Sequence, residues 1–164
     1  MTTVAFDGRY FAADSCGVCD GIYFKMGKIH ILDDMVVSGC GNTESILTVV
    51  DWLKDQSKPK PTGFNDDILL LEVNRKTKKS CLVGASLIPE EFVFGSKPGI
   101  NSIGSGAKAA MASMLLGQNA IAAIHYACEI DIYSRPPIYY VDLDADILEI
   151  KEFQKRKNCH EAKT

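Results

Sequence analysis

Between Met1 and Ser15 the chain carries two short apolar runs, Val4-Ala5-Phe6 and Tyr10-Phe11-Ala12-Ala13, on either side of an Asp7-Gly8 pair. Asp-Gly between apolar runs is among the strongest short-range hairpin signals, because glycine takes a positive φ without steric cost. A hairpin this early commits the start of the chain to a sheet, around which everything later must pack. The first run opens with Thr2-Thr3, so only Met1 precedes a hydroxyl residue at a strand tip. Thr2 is small enough for Met1 to be removed ahead of it. That removal exposes an α-amine on a residue that also bears a hydroxyl, and the two can serve as base and nucleophile.

The pattern that follows places this tip in an α+β chain. Residues 22–26 and 28–32 read as strands broken at Gly27, Asp33-Asp34 as a turn, and residues 35–39 as a fifth strand. The apolar period then lengthens from two to about 3.6. Ile46, Leu47, Val50 and Leu53 share one face of a helix over residues 42–54, with Asn42 or Thr43 as its cap and Glu44 in its first turn. Pro59, Pro61 and Gly63 make residues 55–66 a loop. Residues 68–73 and 80–84 read as a hairpin, 91–94 as a short strand and 95–99 as a turn, before 100–103 lead into Gly104-Ser105-Gly106. Ala107, Ala110, Met111, Met114 and Leu115 mark a helix stopping at Gly117. Asn119 caps another, with Ile121, Ile124 and Cys128 on its buried stripe, which must end before Pro136-Pro137. Residues 138–141 and 147–150 are late strands, and 151–164 a polar, frayed tail. Strand blocks alternating with helical blocks predict stacked antiparallel sheets covered by helices, in one domain over residues 1–150.

Composition narrows the function classes. A length of 164 residues suffices for a substantial core, and the net charge of −3, without a long basic run, argues against a nucleic-acid surface. The start has no secretory signal pattern and no stretch approaches the roughly 20 apolar residues of a membrane span. Six cysteines in such a chain read as free thiols of a reducing cytosol, so a cytoplasmic location is expected. Cys16-Gly17-Val18-Cys19 has half-site spacing but no second pair and no helix after it, so it reads as strand or turn. No metal or cofactor is expected. The three histidines lie in no recognisable nucleophile motif: His30 alternates with Lys28 along a strand, His125 is mid-helix and His160 is in the tail.

Several landmarks then fall in a telling order: Thr2-Thr3, Ala12-Ala13-Asp14-Ser15, Lys28-Ile29, Gly39-Cys40-Gly41, Gly104-Ser105-Gly106 and Asp131-Ile132-Tyr133-Ser134. With them the chain resembles the proteasome β subunits and the bacterial HslV peptidase, within the N-terminal-nucleophile hydrolases, from Thr2 to about Leu143. The resemblance implies a four-layer αββα sandwich. One outer-layer helix is missing from it, its place taken by the loop at 55–66. It also implies stacked homo- or hetero-oligomeric rings and an ATP-dependent unfoldase as partner.

Carried over residue by residue, the resemblance makes Thr2 the nucleophile. A threonine hydroxyl needs a base near neutral pH, and an α-amine with a pKa of about 7.7–8.0 is well matched to the task. Lys28 stands beside it as a cation favouring the neutral amine, and Asp14 holds Lys28. The Gly41 N–H, between a strand and a helix start, donates to the developing oxyanion. Ser105, Asp131 and Ser134 support the amine, with Glu129 and Arg135 as alternatives if the register shifts. Met26, Gly39, Thr43 and Leu47 line the first specificity pocket, whose small or apolar walls favour an uncharged side chain. Where family members commonly carry a second glycine, this chain has Asn42.

The implied function is a threonine-nucleophile peptidase acting on peptides or unfolded proteins once Met1 is removed. With no leader ahead of Thr2, no self-cleavage is expected. The alternatives are a catalytically silent proteasome-like subunit that keeps Met1, or a small-molecule amidase, since fold alone does not fix substrate.

Overall fold

A computed structural model of the chain describes residues 2–64, 68–91 and 99–154. The first hairpin forms as expected from β1 Thr3–Phe6 and β2 Tyr10–Ala13, with Phe6 opposite Phe11 and Val4 opposite Ala13. Asp7 builds its turn: one carboxylate oxygen accepts the N–H groups of Arg9 and Tyr10, at 2.8 and 2.7 Å. In chain order there follow β3 Cys16–Cys19, β4 Ile22–Lys25, β5 His30–Leu32, β6 Met35–Gly41, α1 Thr43–Lys54, β7 Ile68–Asn74, β8 Ser80–Val83 and β9 Pro89–Glu91. Then come β10 Asn101–Gly104, α2 Ala107–Leu115, α3 Ala120–Ile130, β11 Ile138–Asp142 and β12 Lys151–Phe153.

Every described strand pairing is antiparallel. One sheet has the order β10-β1-β2-β11-β12, a second the order β5-β6-β7-β8-β9, and β3 and β4 form a separate two-stranded ribbon. Period-two alternation sorts the side chains of the central strands. Val4, Phe6, Phe11 and Ala13 of the first sheet meet Val36, Leu71 and Val73 of the second in one buried cluster. On the opposite face of β1 and β2, Ala5 and Ala12 are small, which lets Ala110, Met114, Ile124 and Ala127 of α2 and α3 pack close. On the outer side of the second sheet, Val37, Leu70 and Val83 cover Ile46, Val49 and Val50 of α1. Three clusters therefore bind two sheets and three helices together.

Most predicted elements appear within a residue or two. Asn42 caps α1, accepting the Ser45 N–H at 3.0 Å, and Asn119 caps α3, accepting the Ala122 N–H at 2.9 Å. The asparagine at the second-glycine position is thus occupied in starting a helix. Three expectations are corrected. The late strand expected at 147–150 is not formed, with Ile147 77% and Ile150 47% exposed. The sheet edge is instead Lys151–Phe153, pairing with Ile138–Tyr140 of β11, so the chain past residue 150 begins as strand and not as frayed tail. The cause is tertiary: Phe153 lies across from Ile138 against the helix-side cluster, an anchor stronger than alternation on an uncovered stretch. Lys28 and Ile29, expected to open a strand, precede it, β5 beginning at His30. Residues 65–66 of the expected loop, 92–94 of the expected short strand, the turn at 95–98, residues 155–164 of the tail and Met1 lie outside the described residues. Among those described, no helix is long and apolar enough to cross a membrane, and the five described cysteines are in no disulfide.

Candidate active site

Thr2 precedes β1 and is only 7% exposed. Its carbonyl accepts the Ser105 N–H at 3.0 Å. The approach is close because Gly104 has φ +98° and no side chain; a Cβ there would stand 1.7 Å from the Thr2 oxygen. Only glycine permits the two segments to meet. The last residue of the first sheet's edge strand thereby locks Thr2 in place.

Asp14, fully buried just after β2, is the hub on the other side. One carboxylate oxygen accepts from the Lys28 ammonium at 2.9 Å and from the Thr3 N–H at 2.8 Å. The other accepts the Cys16 N–H at 2.8 Å and a longer contact from the Arg135 N–H at 3.4 Å. Lys28, with its side chain 3% exposed, is pulled out of water by the same burial. That burial pushes its ammonium below the ordinary lysine range, and the Asp14 charge and hydrogen bond pull it back only in part.

A second cluster stands on the Ser105 side. Asp131, the residue ending α3, accepts at one carboxylate oxygen from the hydroxyls of Ser105 and Ser134, each at 2.6 Å. Partial burial works against its ionisation. The two hydroxyls and the Tyr133 N–H outweigh that and hold the carboxyl below its usual range. Asp131 and Ser134 meet in a turn after the helix and not on its face, the Ser134 N–H donating to the Asp131 carbonyl at 3.1 Å. Glu129 and Arg135, the alternatives, are used elsewhere: Glu129 lines a different groove, and the Arg135 guanidinium lies 3.7 Å from the centre of the Tyr23 ring.

A cavity of about 440 Å³ opens beside Thr2. Its wall includes Lys28 and Gly41 together with Met26, Gly39, Thr43 and Leu47, so the residues expected to hold a substrate side chain surround one space. Gly41 ends β6 at φ +118°, immediately ahead of the capped start of α1. Gly39 also lets α1 approach, since a Cβ would lie 3.1 Å from Ile46. Sequence reasoning missed the far wall, formed by Gly17, Val18 and Cys19 of β3 and Phe24 of β4, with His30 and Glu44. The available signal was the short β3–β4 ribbon, hidden behind its cysteine spacing. Cys16 and Cys19 are an odd number of residues apart on a strand, and one is buried while the other is exposed. Among the described residues no group of metal-ligating side chains comes together.

No protein-family model matches this sequence, and no curated protein matches it. Solved structures do match. BPH of Thiobacillus denitrificans, in complex with epoxomicin, superposes with a TM-score of 0.64 at 18% identity, covering 93% of this chain and 100% of that one. BPH described without that compound gives 0.63 at 19% identity, over 88% of this chain and 100% of the other. Eukaryotic HslV from Trypanosoma brucei gives 0.62 at 17% identity, over 93% and 100%. In fold this chain is similar to HslV and to BPH over nearly its whole length.

Proposed function

We propose that this chain is a threonine-nucleophile amide hydrolase acting on peptides or unfolded proteins, built as a four-layer αββα sandwich. The observation that carries the proposal is the shared cavity: Thr2, Lys28 and Gly41 line one space, with Asp14 bonded to Lys28 behind it.

In the proposed reaction the Thr2 Oγ1 attacks the substrate carbonyl carbon and its proton passes to the Thr2 α-amine, directly or through one water. The carbonyl π pair moves to oxygen, where the Gly41 N–H donates to it. Collapse of this intermediate expels the leaving amine, which takes the proton back and leaves an ester on Thr2. Water then adds to the ester with the same amine as base, releasing the acid and restoring the hydroxyl. Lys28 favours the neutral amine by its charge, and Asp14 fixes Lys28. Met26, Gly39, Thr43 and Leu47 receive an uncharged side chain of the substrate. By likeness to HslV, the working form is a homo-oligomer, a ring being the expected arrangement, served by an ATP-dependent unfoldase. By the same likeness, the loop that begins after α1 replaces a second outer helix.

All of this needs a free Thr2 amine. Intact mass of the protein from its native host should lack one methionine, and Thr2→Ala should abolish hydrolysis of a fluorogenic peptide. Uniform retention of Met1 would overturn the enzyme and leave a silent subunit. Epoxomicin, bound by the structurally similar BPH, should bind the processed protein and not Thr2→Ala.

A further inference from the structure

Phe24 stands in the far wall of the cavity beside Thr2, and it also borders a second, smaller cleft of about 180 Å³. Tyr23, Lys25, Arg135 and Pro136 line that cleft. The wall is thus a partition with open space on both sides of it, and Phe24 is 46% exposed. Among the described residues, neither β3 nor β4 packs broadly on any strand or helix except the other. Inside the ribbon Phe24 is well seated: it pairs with Gly17, where a Cβ would stand 2.5 Å from its ring. The ribbon as a whole, however, owes its place to a few contacts and not to a core.

Those contacts come from the strand face opposite Phe24, where period-two alternation puts Tyr23 and Lys25. The Lys25 ammonium lies 5.3 Å from the centre of the Tyr139 ring and 3.4 Å from a Glu152 carboxylate oxygen. Both members of that ion pair are about half exposed, where such pairs contribute little. The Arg135 guanidinium is much closer to its ring, 3.7 Å from the centre of Tyr23. Arg135 is also anchored at its other end. Its carbonyl accepts the Ser15 N–H at 3.2 Å, and its own N–H makes the 3.4 Å contact with Asp14. One residue therefore has its backbone on the Asp14 hub and its side chain on the ribbon.

We propose that Arg135 is a positioning residue which, through its stack on Tyr23, holds the ribbon and Phe24 where the cavity can grip a peptide. This rests on the function proposed above. Contacts on the far wall serve the bound substrate and the transition state alike, so loosening the wall weakens binding and leaves the chemistry at Thr2 unchanged.

The test uses protein lacking Met1, with variants and wild type compared at the same oligomeric state. Arg135→Gln should raise KM about three- to fivefold with kcat essentially unchanged, the size expected for an exposed cation–π contact. Tyr23→Leu should do the same, and the two together should do no more than either alone, since each removes the whole contact. Tyr23→Phe, the conservative variant that keeps the ring, should retain the wild-type KM. A peptide titrated onto Thr2→Ala should bind about three- to fivefold more weakly once Arg135→Gln is added, a reading that needs no hydrolysis. Unchanged KM, or effects of the two substitutions that simply add, would overturn the inference. So would a fall in kcat at unchanged KM, which would put the role of Arg135 in its contact with Asp14. If the titration behaves as expected while wild-type protein hydrolyses nothing, the proposed function fails and the role of Arg135 stands.

Discussion

Asp14 and Lys28 form a buried ion pair, and whatever such a pair contributes when intact, losing one member is costly. Removing one partner leaves a buried charge without the opposite charge it faces, at a cost of about 3–5 kcal/mol. Asp14→Asn should therefore lower stability by about that amount in denaturant unfolding and abolish any hydrolysis. Adding Lys28→Met to Asp14→Asn removes the buried ammonium as well, so it should recover much of the stability and none of the activity. If the double variant is as unstable as the single one, the cost lies in the backbone N–H groups of Thr3 and Cys16 that Asp14 also accepts. At this scale the sequence was informative because Asp14, Lys28, Ser105, Asp131 and Ser134 each carry chemistry in their side chains. The contacts of the Thr3 hydroxyl with Ser134 and Gly106 were not legible. A threonine in a strand is ordinary by propensity, and its partners lie more than a hundred positions away.

At the scale of elements, the site depends on where strands end. Gly104 is the last residue of β10, pairs with Thr3, and leaves no room for a Cβ beside the Thr2 carbonyl. Gly104→Ala should displace Thr2 whatever rotamers its neighbours adopt, since the obstacle is backbone and φ is positive. The expected result is loss of peptide hydrolysis and of epoxomicin binding, together with a lowered Tm. Retained activity would mean that Thr2 is not held by this edge. Helices α1 and α3 were readable because their asparagine caps and 3.6-residue stripes agree with one another. The edge strand β12 was not, because Lys151, Glu152 and Phe153 have no pattern of their own. Their strand exists through pairing with Ile138–Tyr140. The ribbon β3–β4 was half legible: Ile22 to Lys25 reads as a strand, but its partner Cys16–Cys19 presents as a motif of thiols.

For the molecule as a whole, the two sheets and three helices bury their large side chains in three clusters, yet sizeable apolar groups remain outside. Ile22, Tyr23 and Phe24 on the β3–β4 ribbon are 69%, 41% and 46% exposed, and Leu116, Ile130 and Ile132 near the ends of α2 and α3 are 85%, 72% and 67% exposed. Single exposed apolar residues are normal, but the consecutive run Ile22, Tyr23 and Phe24 on one ribbon fits a chain that is covered by other subunits. The ribbon also forms the far wall of the cavity beside Thr2, through Gly17, Val18, Cys19 and Phe24. A subunit resting on that ribbon would steady the cavity, so assembly and activity should rise together. Native mass spectrometry should find an oligomer at working concentration, and the peptide hydrolysis rate per chain should fall as dilution separates it. Ile22→Lys, on the ribbon but outside the cavity wall, should weaken assembly and lower the rate at low concentration while recovering it at high concentration. A monomer with full activity per chain at every dilution would show that the ribbon keeps its shape unaided and that the proposed ring plays no part in hydrolysis.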